Sequence, residues 1–446
     1  MLLEIAGLKE LPSIIGRDPV LPTPYRIGEA GAEALAALGA VVARFGELRG
    51  LPHQEVNVDL RAAALSLRSA RYLRINGHAL PPVWDPLSGF YPVRDGWISI
   101  HCNFANHRDA AMQVLQSPAE RKEAERKSAV WTGEALEDAI HAAAGCAGFV
   151  RTADDWPRHP QAKAVAEQPL LAIERIGDAP AAMPAKASRP LADIRVLDLT
   201  RVLAGPTCGK CLAEHGADVL KISAEHLPDS GLVEMDTGIG KLSARLDLRS
   251  PDGVGKLGAL VRKADVFCQS YRPGALAGRG FSPERLAELR PGIVCTSLSA
   301  WGRTGPWRTR RGFDSIVQAV SGMAHKSGDA KAPKLMPVSA IDYVSGYLMA
   351  FGTVVALERR AREGGSWLVS VALARVGRWI VEHGLVPSDG VAADVPADEL
   401  ARYCAQMDSP AGRLTYLKPV IQLSKTPGHW ARPPVPLGTH RPAWEQ

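Results

Sequence analysis

Residues 336–373 read MPVSAIDYVSGYLMAFGTVVALERRAREGGSWLVSVAL, and a single carboxylate, Asp342, heads an otherwise apolar run. A lone acid in that position can cap a helix. Held away from water, it can instead act as a nucleophile or a base. Residues 343–357 carry Leu, Met, Phe and Val among small residues at helical spacing. Arg359, Arg360 and Arg362 close that helix where cations suit its dipole, and Gly364-Gly365 stop it. Residues 367–373 alternate like a strand. Asp342 is therefore expected at or just before a helix N-terminus, where the dipole favours its ionised form. By itself, an N-cap is the plainer role for such an aspartate.

The elements that must position this acid follow from length and composition. A chain of 446 residues suggests two domains, and 46% hydrophobic residues is ordinary for a globular protein. No apolar run is expected to reach the length of a membrane span. The opening MLLEIAGLKELPSIIGRD has acids within its apolar stretch, unlike a signal peptide. Seven scattered cysteines suit a reducing cytoplasm. The net charge of +6 is mild and forms no polybasic run, and aromatic residues are sparse at 6%, so nucleic acid is a poor partner.

Residues 28–49 read as a helix, 55–60 as a strand and 61–74 as helical again. Residues 76–93 read as a loop, and Asp95-Gly96 as a turn before a strand over 97–102. Helices are expected over 107–116, 118–129 and 133–145. The Pro/Ala stretch 178–190 marks a linker. Beyond it, strands over 194–199, 218–222, 266–269 and 293–298 alternate with helices, which predicts a parallel, doubly wound α/β sheet. The expected divisions are a small-domain-like segment at 1–190, a Rossmann-like domain at 191–380 and a wrapping tail at 381–446. The helix–strand stretch 37–60 also repeats 350–373 without a gap, which sets Glu29 on Asp342.

Residues 193–222 read DIRVLDLTRVLAGPTCGKCLAEHGADVLKI, a strand, a small-residue turn and a helix start where a backbone can approach an anion. The turn lacks the GxGxxG of a dinucleotide site. Cys208 and Cys211 form a CxxC with no second pair at metal spacing. His101, Cys102 and His107 hint at a metal, yet polar residues at a strand end are more often surface.

Together these stretches resemble the family III CoA-transferases, the carnitine dehydratase and bile-acid-inducible family. The matching residues are VLDLTRVLAGP (196–206), LAEHGADVLKI (212–222), KLSARLD (241–247), ADV (264–266), YRPGALAGRG (271–280), SLSAWGRTGP (297–306), RGFDSIVQAVSG (311–322) and AIDYVSG (340–346), in the family's order. The resemblance implies a Rossmann-like large domain with a smaller α+β domain, assembled as an interlocked homodimer. It implies that Asp342 is the catalytic nucleophile. It also implies that coenzyme A, a substrate rather than a bound cofactor, meets Arg201, Ala204, Gly205, Lys241, Tyr271, Arg279 and Asp314. The layout departs from the family, because the small-domain motifs DGWISIHCNF (95–104) and DDWPRHPQ (154–161) come first. Ser223 and Ala224 replace the usual Glu and Arg. Phe313 replaces the proton-shuttling histidine of the family's racemases.

Three functions stand open on this reading. The first is transfer of CoA from an acyl-CoA to a small carboxylic acid through an aspartyl anhydride and an aspartyl-CoA thioester. The second is racemisation or isomerisation of an acyl-CoA with Asp342 as base. The third is a CoA-binding partner without activity.

Overall fold

The computed structural model describes residues 1–81, 84–228, 231–328 and 331–444. Six strands run parallel in one sheet, in the order Lys241–Arg245, Asp218–Ser223, Arg195–Leu199, Val266–Gln269, Val294–Ser299 and Ser366–Ala372. The first strand in the chain, Arg195–Leu199, lies in the middle. Its first and second successors lie on one side and the later strands on the other. This is the doubly wound order, with its switch point between Arg195–Leu199 and Val266–Gln269. Near-continuous apolar runs such as Val196-Leu197 suit strands covered on both faces.

A seventh strand, Leu171–Gly177, joins the sheet antiparallel to Ser366–Ala372. Sequence reasoning assigned these residues to the N-terminal segment. They lie instead along the edge of the large sheet, where they cover a row of backbone groups that would otherwise be unpaired.

The helix Ala340–Glu363 is the spine of the molecule. It packs against the helices Ile27–Leu48 and Ala204–Glu214 and against the strands Val294–Ser299 and Ser366–Ala372. With 24 residues it is long and apolar enough by composition to cross a membrane, contrary to the sequence expectation, but it is buried inside the fold. Glycine makes that burial possible at two contacts. A Cβ on Gly346 would stand 2.6 Å from the Ala204 carbonyl oxygen, and one on Gly352 would stand 2.6 Å from Val369 Cγ1.

The N-terminal helix Ile27–Leu48 leads to the strand Val56–Asp59, which lies between Ser13–Ile15 and the late strand Ile421–Leu423. A smaller α+β body follows. Its sheet is Gly89–Val93, Gly96–Ile100 and Ala147–Phe149, and its helices Ala105–Leu115, Arg121–Ser128 and Gly133–Ala142 enclose a separate core. The expected loop over 76–93 thus ends in a strand. Pro92 disguises it, and is tolerated because that strand is at the sheet edge. The body rests on the helix Asp314–Val320, with Gly148 against Ile316 and Val320.

One buried ion pair ties the parallel sheet together. Lys241 Nζ lies 2.7 Å from Asp198 Oδ2 and 2.7 Å from the Pro206 carbonyl oxygen. Burial alone would raise the Asp198 pKa, but Lys241 and Lys221 hold it below the ordinary carboxylate range. Lys241→Ala would leave that carboxylate buried without its partner, a change that typically costs about 3–5 kcal/mol. Denaturant unfolding of Lys241→Ala should show a loss of that size. The double variant Lys241→Met/Asp198→Leu should recover much of it. An unfolding free energy equal to that of the wild type would show that the pair does not hold the sheet.

Candidate active site

Asp342 is the third residue of the helix Ala340–Glu363, whose N-cap is Ser339. Asp342 is therefore not at the N-cap position, where Ser339 stands without a side-chain cap hydrogen bond. The backbone N–H of Asp342 donates to Asp314 Oδ2 at 3.0 Å. Asp314 opens the helix Asp314–Val320, so one helix start is capped by a carboxylate from another. The Gln318 side-chain amide donates to Asp314 Oδ1, and Gln318 Oε1 accepts the Met336 N–H at 2.8 Å. This arrangement fixes Asp314 and leaves the Asp342 carboxyl for chemistry.

Both acids are buried, Asp342 at 9% exposure and Asp314 at 6%. Burial, and then the neighbouring Asp314 charge, push the Asp342 pKa well above the usual carboxylate range. Burial also raises Asp314, to about 6, while the Gln318 amide and the N–H groups of Asp342 and Ile341 pull it back. The shared proton thus belongs on Asp342. The helix dipole was expected to keep Asp342 ionised, but loss of water and a like charge outweigh it.

Gly346, one turn along the same helix face, touches Ala204 and so sets the Asp342 end beside the start of helix Ala204–Glu214. Ala204 and Gly205 are the first two residues of that helix. Just before it, the Arg201 backbone N–H donates to Ser270 Oγ at 3.0 Å and bridges the switch point. The Arg201 guanidinium donates to the Pro228 carbonyl at 2.8 Å and lies 5.4 Å from the Phe104 ring centre.

A cavity of about 320 Å³ opens at the C-terminal ends of the first four parallel strands. Leu199, Ile222, Ser223, Leu246, Tyr271 and Arg279 are among its lining residues. This is where open α/β sheets take ligands. Tyr271 and Arg279 therefore face one cavity, while Arg201, Ala204, Gly205, Asp314 and Asp342 cluster about the neighbouring helix starts. Lys241 lies apart, withdrawn into the protein wall with its ammonium held by Asp198 and Pro206. The phosphate contact expected of it is corrected accordingly.

Several residues near Asp342 were not assigned to its site from sequence. The His101 ring stacks on Phe313 at 3.9 Å and 7°. Phe104 and His107 complete that aromatic group. Burial, then His107, lowers the His101 pKa to about 3. Burial, then the positive field of Arg311, Arg201 and Arg272, lowers His107 to about 4. These histidines, weighed earlier as a hint of a metal, pack as neutral rings. On the other side, the Tyr343 hydroxyl accepts the Ala70 N–H at 3.3 Å and lies 3.0 Å from Ser69 Oγ. Ser69 donates to Asp236 Oδ2 at 2.6 Å, and Lys210 Nζ holds Asp236 Oδ1 at 2.9 Å. Tyr347 and Ser66 share a hydrogen bond of 2.8 Å. The one sequence signal for this clamp was the spacing of Tyr343 and Tyr347, one helical turn apart and immediately after Asp342.

Comparison with known proteins finds relatives for part of the chain. An acetyl-coenzyme A transferase of Hypoxylon pulicicidum is 31% identical over 233 residues, covering 51% of this chain and 36% of the relative. A succinyl-CoA–D-citramalate CoA-transferase of Chloroflexus aurantiacus is 34% identical over 201 residues, covering 42% of this chain and 49% of the relative. Human succinyl-CoA:glutarate CoA-transferase is 31% identical over 180 residues, with 38% and 41% covered. The chain thus spans half or less of the length of these relatives. A solved CAIB/BAIF family protein from Brucella suis aligns at 27% identity and TM-score 0.40, covering 43% of this chain and 55% of its own. Residues 191–402 match the model of CoA-transferase family III, and Asp342 lies inside the matched region.

Proposed function

We propose that this protein transfers CoA from an acyl-CoA to a small carboxylic acid, with Asp342 as the covalent carrier. The observation that carries the reading is the buried Asp342, whose backbone N–H is fixed by Asp314 and whose helix turn lies against the start of the helix Ala204–Glu214. Ionised Asp342 attacks the thioester carbonyl, the C–S bond breaks, and CoA leaves as thiolate with an aspartyl anhydride behind it. The thiolate then attacks the Asp342 carbonyl, which releases the donor acid and leaves an aspartyl-CoA thioester. An acceptor carboxylate attacks that thioester to form a second anhydride. The returning thiolate takes the acceptor's acyl group and frees Asp342.

Each addition places negative charge on an oxygen, and the Ala204 and Gly205 backbone N–H groups at the helix start are suited to receive it. The nucleotide end of CoA fits the cavity lined by Tyr271 and Arg279. Relatives named for citramalate and glutarate support a small, polar acid as acceptor. In this reading CoA is a substrate, no bound cofactor takes part, and the protein works in the cytoplasm.

A second reading is proton transfer at the alpha carbon of an acyl-CoA with Asp342 as base, for which His101 is the histidine ring stacked at the Phe313 position, just before Asp314. Deuterium separates the two. In heavy water a transferase leaves the alpha carbon unlabelled, because its chemistry stays at the carbonyl. Alpha exchange at the turnover rate would establish the second reading.

Asp342→Asn should fold, bind CoA and lose transfer by at least about four orders of magnitude, as removal of a covalent nucleophile does. Wild type trapped with hydroxylamine during turnover should carry its modification on Asp342. A variant that retains transfer would remove Asp342 from the reaction.

The raised pKa of Asp342 also predicts a pH dependence of stability. The folded protein binds this proton more tightly than the unfolded chain. The stability linked to it is therefore complete below the ordinary carboxylate pKa and is lost as pH rises toward the raised value. Asn carries no such penalty. Asp342→Asn should melt at least about 2 °C above wild type at pH 8, with the gap closing near pH 4. Melting curves that stay parallel across this range would contradict the buried, protonated acid.

A further inference from the structure

The N-terminal helix and strand repeat the central pair in three dimensions as well as in sequence. The two long helices begin at Ile27 and Ala340, and the helices after the two strands begin at Leu60 and Leu373. In the sequence register, each of these pairs coincides. The Glu29 N–H donates to Asp18 Oδ2 at 2.9 Å, as the Asp342 N–H donates to Asp314 Oδ2 at 3.0 Å. A Cβ on Gly39 would stand 2.6 Å from Val56 Cγ1, and one on Gly352 the same 2.6 Å from Val369 Cγ1. Val58 has Ile14 beside it in parallel and Ile421 antiparallel. Val371 has Leu298 in parallel and Leu171 antiparallel.

The connections between the copies are reciprocal. The chain that leaves Val56–Asp59 builds the smaller body and returns as Leu171–Gly177, which closes the edge of the central strand Ser366–Ala372. The chain that leaves Ser366–Ala372 returns as Ile421–Leu423, which closes the edge of Val56–Asp59. Each half completes the sheet of the other. The two long helices lie against each other, with Arg44 Nη2 2.6 Å from Glu358 Oε2.

The copies differ where the chemistry would occur. Asp342 is buried, and its environment favours its proton. Glu29 is 31% exposed and is held 2.7 Å from Arg26. One turn along, Gly346 admits the helix Ala204–Glu214, whereas the equivalent Glu33 is bonded to His383 Nε2 at 2.9 Å. The N-terminal acid therefore faces a histidine and an arginine where Asp342 faces a helix start. The same N-terminal half supplies Ser66, Ser69 and His101 to the surroundings of Asp342.

We propose that residues 1–177 act as a built-in second subunit, which pairs with the rest of the same chain and completes its one reactive site from within. Glu29 is then the blunted copy of the reactive acid, and one chain holds one site. The pairing does not depend on the proposed reaction; the statement about Glu29 rests on it.

Cross-linking tests the pairing without activity. Glu55 and Ser424 are neighbours across the exchanged strands: the Glu55 N–H donates to Ser424 Oγ at 3.0 Å, and the Ser424 N–H to the Glu55 carbonyl at 3.1 Å. Oxidised Glu55→Cys/Ser424→Cys in the full chain should give a disulfide within one chain, which runs at the single-chain mass of 47.7 kDa under denaturing, non-reducing conditions. Asn57→Cys/Gln422→Cys, at directly opposed positions of the same two strands, serves if the first variant fails to fold. A disulfide-linked species of twice that mass would mean that the halves pair between chains, and would overturn the proposal. Absence of a cross-link in both folded variants would overturn it too. Glu29→Gln should keep transfer within about twofold of wild type, whereas a loss beyond about tenfold would return Glu29 to the chemistry. Wild type that transfers no CoA would count against the proposed reaction and leave the cross-link to decide the pairing.

Discussion

A carboxylate can be kept out of water only if something answers its charge, and here the answer is divided between two acids. Asp314 receives the Asp342 N–H, the Ile341 N–H and the Gln318 amide, and so holds negative charge with comparative ease. Asp342 has the Asp314 charge as its neighbour and keeps the proton. This asymmetry exists only while the site is dry, because at high dielectric both acids would ionise at ordinary pH. The fold meets that condition by burying the helix Ala340–Glu363 on every side. Contact comes so close, with a helix at Gly346 and with the strand Ser366–Ala372 at Gly352, that neither position has room for a side chain. The apolar sequence of that helix, which would otherwise suit a membrane, is what a spine with no solvent face requires.

Closing those faces takes more chain than the doubly wound unit contains. Ser366–Ala372 would be an exposed edge without Leu171–Gly177, and the helix Ala340–Glu363 would have an open flank without Ile27–Leu48. Both covers come from before the linker. In return, Val56–Asp59 is covered by a strand near the end of the chain. The halves are therefore not separable along the sequence, although each looks self-contained in a hydropathy pattern. A boundary drawn at the Pro/Ala linker marks a change in composition and leaves the linker's preceding strand inside the large sheet.

Much of the fold could be read from sequence because the governing forces were local. Strands such as Val266–Gln269 and helices such as Ala204–Glu214 are fixed by short apolar patterns and small-residue turns. The gapless match of 37–60 with 350–373 held in space because the same Gly-to-Val contact recurs in both copies. What could not be read depended on partners distant in the chain. Lys241 looked like a phosphate ligand because nothing nearby announces Asp198, which lies on another strand. Leu171–Gly177 was obscured by Glu174 and Arg175, whose exposure is allowed on an edge strand. The ionisation of Asp342 was misjudged because the helix dipole is visible in sequence, whereas desolvation by two other helices and a second acid is not.

The charge balance of the site has a consequence for the proposed reaction. The acid pair alone holds close to one negative charge near neutral pH, and each incoming substrate adds more: the phosphates of CoA and the carboxylate of an acceptor. The field that answers them comes from guanidinium groups. Arg201, Arg272 and Arg311 all bear on His107, which burial and their charge keep neutral. A histidine that titrated near pH 7 would add a variable positive charge there, and this one is kept neutral by its burial and by the surrounding guanidinium charge. Attack by Asp342 needs its proton to leave, and entry of the anionic donor acyl-CoA opposes that loss; the acceptor carboxylate meets the same negative charge later, at the aspartyl thioester. The arginines offset both terms without taking up or giving a proton. The nucleophile's reactivity is then governed mainly by how dry the Asp314–Asp342 pair remains once substrate is in place, and this depends on the walls that the N-terminal half supplies.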